Sequence, residues 1–92
     1  MGKVLSVDLK ILNRKGLHAR ASAKFVKTLS ERAVSVVVTK GGSSVGGASI
    51  MGLMMLGAAK GDTIHIEVFG EEAGPVLEDL KALVNDKFGE AE

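Results

Sequence analysis

His18 and Arg20 stand two residues apart, where the polar, glycine-closed turn Asn13-Arg14-Lys15-Gly16 gives way to an apolar period of helical spacing. The first turn of a helix carries backbone N–H groups with no intrahelical partner and the positive end of the macrodipole, so it suits an anion. An imidazole held there keeps a nucleophilic nitrogen near neutral pH, because its unperturbed pKa is about 6.5, and its phosphoramidate readily passes the group on. Arg20 adds an always-charged guanidinium, and the N–H groups of Ala19, Arg20 and Ala21 add neutral donors for the phosphoryl oxygens. The chemistry expected at His18 is therefore acceptance and donation of a phosphoryl group. A lone histidine at a helix start is more often an ordinary polar residue, and a lone arginine a solvated charge, so a second feature has to decide.

That second feature is Ser49-Ile50-Met51-Gly52-Leu53-Met54-Met55-Leu56-Gly57. Hydrophobicity alone allows strand or helix, but serine is a good N-cap and glycine a good C-terminal stop, which predicts a short helix. Leu53 and Leu56 are assigned to the core. Ile50, Met51 and Met54 would offer a soft apolar surface beside His18, suited to several partners, with Lys24 and Lys27 on the wetter side of the first helix as accompanying docking residues.

The elements that must position these residues follow from periodicity. Val4 to Leu12 alternates, with Leu5, Val7, Leu9 and Ile11 on one face, and reads as a strand. Leu17, Ala21, Phe25, Val26 and Leu29 recur at helical spacing from His18 to about Ser30–Arg32. Val34 to Lys40 is a second strand, Gly41-Gly42 a hairpin turn, and Ser43 to Gly46 a short third strand. Thr63 to Phe69 alternates with Ile64, Ile66 and Val68 inward. After Glu71-Glu72, which suit a helix start, Val76, Leu77, Leu80, Leu83 and Val84 keep a helical period to about Phe88, with Pro75 leaving the first turn open. The order β-α-β-β-α-β-α, with one apolar face per element, predicts an α+β fold of two layers over residues 1–92 as one domain.

Gly16-Leu17-His18-Ala19-Arg20-Ala21-Ser22-Ala23 resembles the active-site signature of the HPr family, the phosphocarriers of the bacterial phosphotransferase system. The Ser49 segment is similar to that family's regulatory serine and docking helix, at the family's spacing from His18. The resemblance implies an open-faced sandwich, a four-stranded antiparallel sheet with three helices on one face. It also implies phosphorylation on Nδ1 of His18 by enzyme I, delivery to IIA-type acceptor domains, and a serine kinase acting on Ser49. The chain departs from the common family form at Ala21, where proline is usual; alanine supplies an extra N–H and good helix propensity, which leaves the role of the site intact. Two other readings stay open: a regulatory binding module of a nitrogen-related branch of the system, and a small-molecule-sensing domain that is never phosphorylated.

Composition narrows the alternatives. Twelve basic and eleven acidic residues give a formal charge of +1, so there is no general field for nucleic acid. RNA-binding modules of split β-α-β topology stack bases on strand aromatics, whereas this chain has three Phe, no Tyr and no Trp. No cysteine is present, which fits a reducing cytoplasm. The charge-free run Gly41 to Ala59 is half glycine and serine, too short in its apolar part for the roughly 20 residues of a membrane span. Gly41 and Gly46 have P-loop spacing, but Gly47-Ala48 stands where lysine and Ser/Thr are needed. Met1-Gly2-Lys3-Val4-Leu5-Ser6 matches a myristoylation pattern, against which Val4 onward reads as strand. No secretory signal, metal site or cofactor is expected, His65 is given no function, and the protein is expected to act as a monomer.

Overall fold

A computed structural model describes residues 3–92. Met1 and Gly2, the head of the myristoylation-like match, lie outside the described residues. The strands are β1 (Lys3–Lys10), β2 (Ser35–Lys40), β3 (Ser43–Gly46) and β4 (Thr63–Gly70), and the helices α1 (Ala19–Leu29), α2 (Ile50–Met55) and α3 (Ala73–Asn85). The sheet is antiparallel throughout in the order β1-β4-β2-β3. All three helices cover one face, as expected for an open-faced sandwich.

Position in the sheet explains the gradient of burial. β4 has a strand on each side, and its inward Ile64, Ile66 and Val68 are wholly buried. β1 is an edge, so of its expected inward set Leu9 and Ile11 are buried while Leu5 and Val7 are half-buried. α1 contributes Ala21, Phe25 and Leu29 to the core, and α3 contributes Val76, Leu77, Leu80 and Val84. Each such large apolar side chain removed from water is worth about 1.5–3 kcal/mol. Leu53 and Leu56 are buried as assigned.

α3 closes one point that the sequence left open and departs from the sequence reading at its end. Pro75 sits in the first turn of α3, where its missing N–H would have had no intrahelical partner. More consequentially, the helical period running to Phe88 is not one helix: α3 stops at Asn85, and Lys87, Phe88 and Gly89 take left-handed conformations with φ of 56°, 55° and 76°. Two successive non-glycine residues in that region are uncommon and cost energy. The fully buried Phe88 ring supports the turn, which reverses the chain and returns residues 89–92 toward the start of α1.

Candidate functional site

The turn before α1 is fixed by a glycine and an asparagine. Gly16 has φ +64°, and a Cβ added there would lie 2.2 Å from the carbonyl oxygen of Ala58, so only glycine fits. Its neighbour Leu17 donates its N–H to that same oxygen at 3.0 Å, tying the turn to the segment after α2. Asn13 is fully buried, and its Nδ2 donates to the carbonyl of Gly16 at 2.8 Å. The chain then enters α1 with His18 as an extended N-cap residue whose side chain makes no capping bond. The first-turn N–H groups of Ala19, Arg20 and Ala21 are thus left without intrahelical partners, and no acidic residue stands in that turn to compete for them. Ser22, a buried polar residue that periodicity alone did not single out, settles its hydroxyl on the Leu17 carbonyl at 3.2 Å.

The His18 side chain is 26% exposed, and its Nε2 is hydrogen-bonded to Oε2 of Glu90, whose own side chain is 13% exposed. The other carboxylate oxygen, Oε1, accepts from Asn13 Nδ2 at 3.0 Å. Burial pushes the Glu90 carboxyl up, but the hydrogen bonds from Asn13 and His18 and the nearby charges of His18 and Lys15 outweigh it and hold the group below the ordinary glutamate value. Asn13 Oδ1 is buried with no partner, so this side of the turn has unspent hydrogen-bonding capacity.

Residues 89–92 and the start of α1 together wall a groove of about 500 Å³ lined by Arg14, Lys15, Arg20 and Lys24 on one side and Gly89 to Glu92 on the other. Three ties hold the segment down. Lys24 Nζ donates to the Phe88 carbonyl at 2.6 Å, the Arg14 N–H donates to the Glu92 carbonyl at 2.8 Å, and the Arg14 guanidinium meets the Glu92 carboxylate at 3.2 Å. Lys24, expected as a docking cation, is therefore half-buried and engaged within the fold, while Lys27 is exposed and outside the groove lining.

Ser49 is the N-cap of α2, its exposed hydroxyl accepting from the Gly52 N–H at 2.9 Å. Ile50, Met51 and Met54 are exposed at 42%, 69% and 41%, and Met55, which the sequence reading left aside, at 79%. α2 packs on α1, which puts this apolar patch on the same side of the molecule as the helix that bears His18. His65 lies on the opposite, open face of the sheet, where its Nδ1 meets Asp8 of the adjacent strand at 2.7 Å. The structure thus groups His18, Arg20 and Lys24 with Asn13 and Glu90. The sequence reading assigned no role to the last two. Asn13 carried a turn signal but no hint of a partner, and nothing in spacing connects Glu90 to a histidine 72 positions away.

No helix among the described residues is long and apolar enough to cross a membrane. Residues 5–86 match the family model described as PTS HPr component phosphorylation site. Phosphocarrier protein HPr of Neisseria meningitidis serogroup A is 48% identical over 89 residues, covering 97% of this chain and all of that protein. Phosphocarrier protein NPr of Shewanella violacea is 37% identical over 87 residues, covering 95% and 96%. The crystal structure of HPr-C-His from Thermoanaerobacter tengcongensis superposes with a TM-score of 0.90 at 35% identity, over 96% of this chain and 99% of that one. A match over nearly the whole chain in sequence and in fold, with His18 at a helix start, makes this chain a member of the HPr family of phosphocarriers of the phosphotransferase system.

Proposed function

We propose that His18 takes a phosphoryl group from a phosphohistidine on enzyme I and hands it to IIA-type acceptor domains in the cytoplasm. The observation that carries this reading is the partly exposed imidazole at the N-cap of α1, beside Arg20 and first-turn N–H groups that have no other ligand. The guanidinium supplies charge-assisted hydrogen bonds to the phosphoryl oxygens, and Ala19, Arg20 and Ala21 supply backbone donors. The protein is a stoichiometric carrier, and the partner completes the in-line geometry. Ile50, Met51, Met54 and Lys27 form the docking surface, to which Met55 is added. Lys24 contributes to the groove rather than to docking. Ser49, exposed at the edge of that surface, is the residue a serine kinase would modify to weaken docking.

Incubation with phosphoenolpyruvate and enzyme I is expected to give an acid-labile adduct on His18, and an unlabelled protein would remove the reading. The similarity to an NPr protein keeps a regulatory branch as the second reading. Onward transfer to a sugar-specific acceptor favours the first, and transfer confined to a regulatory acceptor favours the second.

A further inference from the structure

The family model matches residues 5–86, and Glu90 lies beyond that span. We propose that Glu90 is a positioning residue for phosphoryl transfer: it fixes the proton of His18 on Nε2, so that Nδ1 carries the lone pair, and it balances the positive charge that the ring acquires when Nδ1 is phosphorylated. The inference rests on His18 being the phosphoryl acceptor.

The carboxylate is placed for this role from three directions. Asn13 holds Oε1, the left-handed turn at Lys87–Gly89 aims the side chain, and the Arg14–Glu92 contacts fix the chain beyond it. An ionised carboxylate only accepts hydrogen bonds, so Nε2 of His18 must be the donor, and in the neutral ring the free pair is then on Nδ1. In the transfer step that pair forms the new N–P bond while the N–P bond of the donor phosphohistidine breaks, its electrons returning to the donor ring. His18 becomes an imidazolium that keeps its Nε2 proton, so no proton has to move, and the Glu90 carboxylate faces the charge that develops. Donation to an acceptor runs the same step in reverse. Of the other charged groups of the groove, Arg14 and Glu92 are paired with each other, Lys24 donates to the Phe88 carbonyl, Lys15 acts on Glu90 through its charge, and Arg20 stands in the first turn of α1.

The decisive variant is Glu90→Gln. Its side chain has one acceptor oxygen for two donors, Asn13 Nδ2 and His18 Nε2. If the oxygen stays on Asn13, the amide nitrogen faces His18 and selects the tautomer with the proton on Nδ1, the wrong one for attack. Nitrogen-15 spectra of the imidazole and single-turnover transfer from phosphorylated enzyme I are measured for the unmodified protein, Glu90→Gln, Glu90→Ala and His18→Ala, with thermal melts alongside. We expect the Nε2-protonated form in the unmodified protein and a mixed or Nδ1-protonated ring in both Glu90 variants. Their transfer should be slowed about tenfold or more, as for loss of a hydrogen bond to a charged group. Unchanged tautomer and unchanged rate in both Glu90 variants would overturn the proposal. The reading beneath it fails separately, on labelled His18→Ala or on an unmodified protein that takes no phosphate.

Discussion

The molecule pairs both of its histidines with a carboxylate, and the two pairs differ in everything around them. His65 and Asp8 face each other directly across β1 and β4, on a flat sheet surface, with side chains 40% and 69% exposed. His18 and Glu90 meet at a helix start, at 26% and 13% exposure, and Glu90 shares a groove with Arg14, Lys15, Arg20 and Lys24. An exposed ion pair in high dielectric is worth little and offers a ligand nothing further. The His18 pair stands at first-turn N–H groups that have no intrahelical partners, with Arg20 in the same turn. A histidine–carboxylate contact is therefore not a site by itself; what sets the His18 pair apart is the helix start and the cations near Glu90.

The largest expected effect tests the comparison directly. His18→Ala should lose all acid-labile phosphate after treatment with phosphoenolpyruvate and enzyme I, whereas His65→Ala should be labelled like the unmodified protein; loss of label in the His65 variant alone would reverse the assignment. Next in size is Arg20→Ala. It removes one charged hydrogen-bond partner but leaves the backbone donors, so single-turnover transfer should slow roughly 5- to 150-fold, corresponding to about 1–3 kcal/mol. A rate equal to the unmodified protein would make Arg20 a bystander.

Ser49→Asp sharpens a different contrast, between fold and docking. Aspartate is itself a good N-cap, so the melting temperature should stay within a few degrees, a change below about 1 kcal/mol. Affinity for enzyme I, by titration, should fall by about tenfold, or 1.4 kcal/mol, because the charge must be desolvated beside Ile50 and Met51. Equal affinities would take Ser49 out of the interface.

The smallest effects concern stability against pH. The Glu90 carboxyl titrates lower in the folded chain than in the unfolded one, so its contribution is complete above the ordinary glutamate value and is lost as pH falls below about 4.5. Asp62, lowered by the Ala59 N–H and by Lys40, behaves in the same direction. Denaturant melts between pH 7 and pH 3 should therefore show a shallower acid loss for Glu90→Ala than for the unmodified protein. Asp8→Ala, on the open face, should shift the unfolding free energy at pH 7 by less than about 1 kcal/mol.

Local rules carried much of the molecule. Alternation identified β1 and β4, the helical period identified α1 and α3, and capping chemistry resolved the ambiguous run after Ser49, because each of these patterns is written by neighbours within a few residues. The same rules put His18 at a helix start and Arg20 beside it, which is most of an anion site, since unpaired N–H groups are a property of any helix terminus. Resemblance then supplied the antiparallel form of the sheet, but not the depth of each strand. That Leu5 and Val7 are only half-buried while Ile64 and Ile66 are wholly so depends on which strand is an edge, a long-range pairing outcome.

What only the tertiary structure decided is the wall of the groove. The helical period runs to about Phe88, yet the helix ends at Asn85 and Phe88 is buried through a left-handed turn that reverses the chain. Glu90, with no local signal of its own, reaches His18 because the Phe88 ring fills the core, Asn13 holds the Glu90 carboxylate and Arg14 holds Glu92 beyond it. Contacts between residues some 70 positions apart follow from how the layers pack, and no periodicity within either segment encodes them.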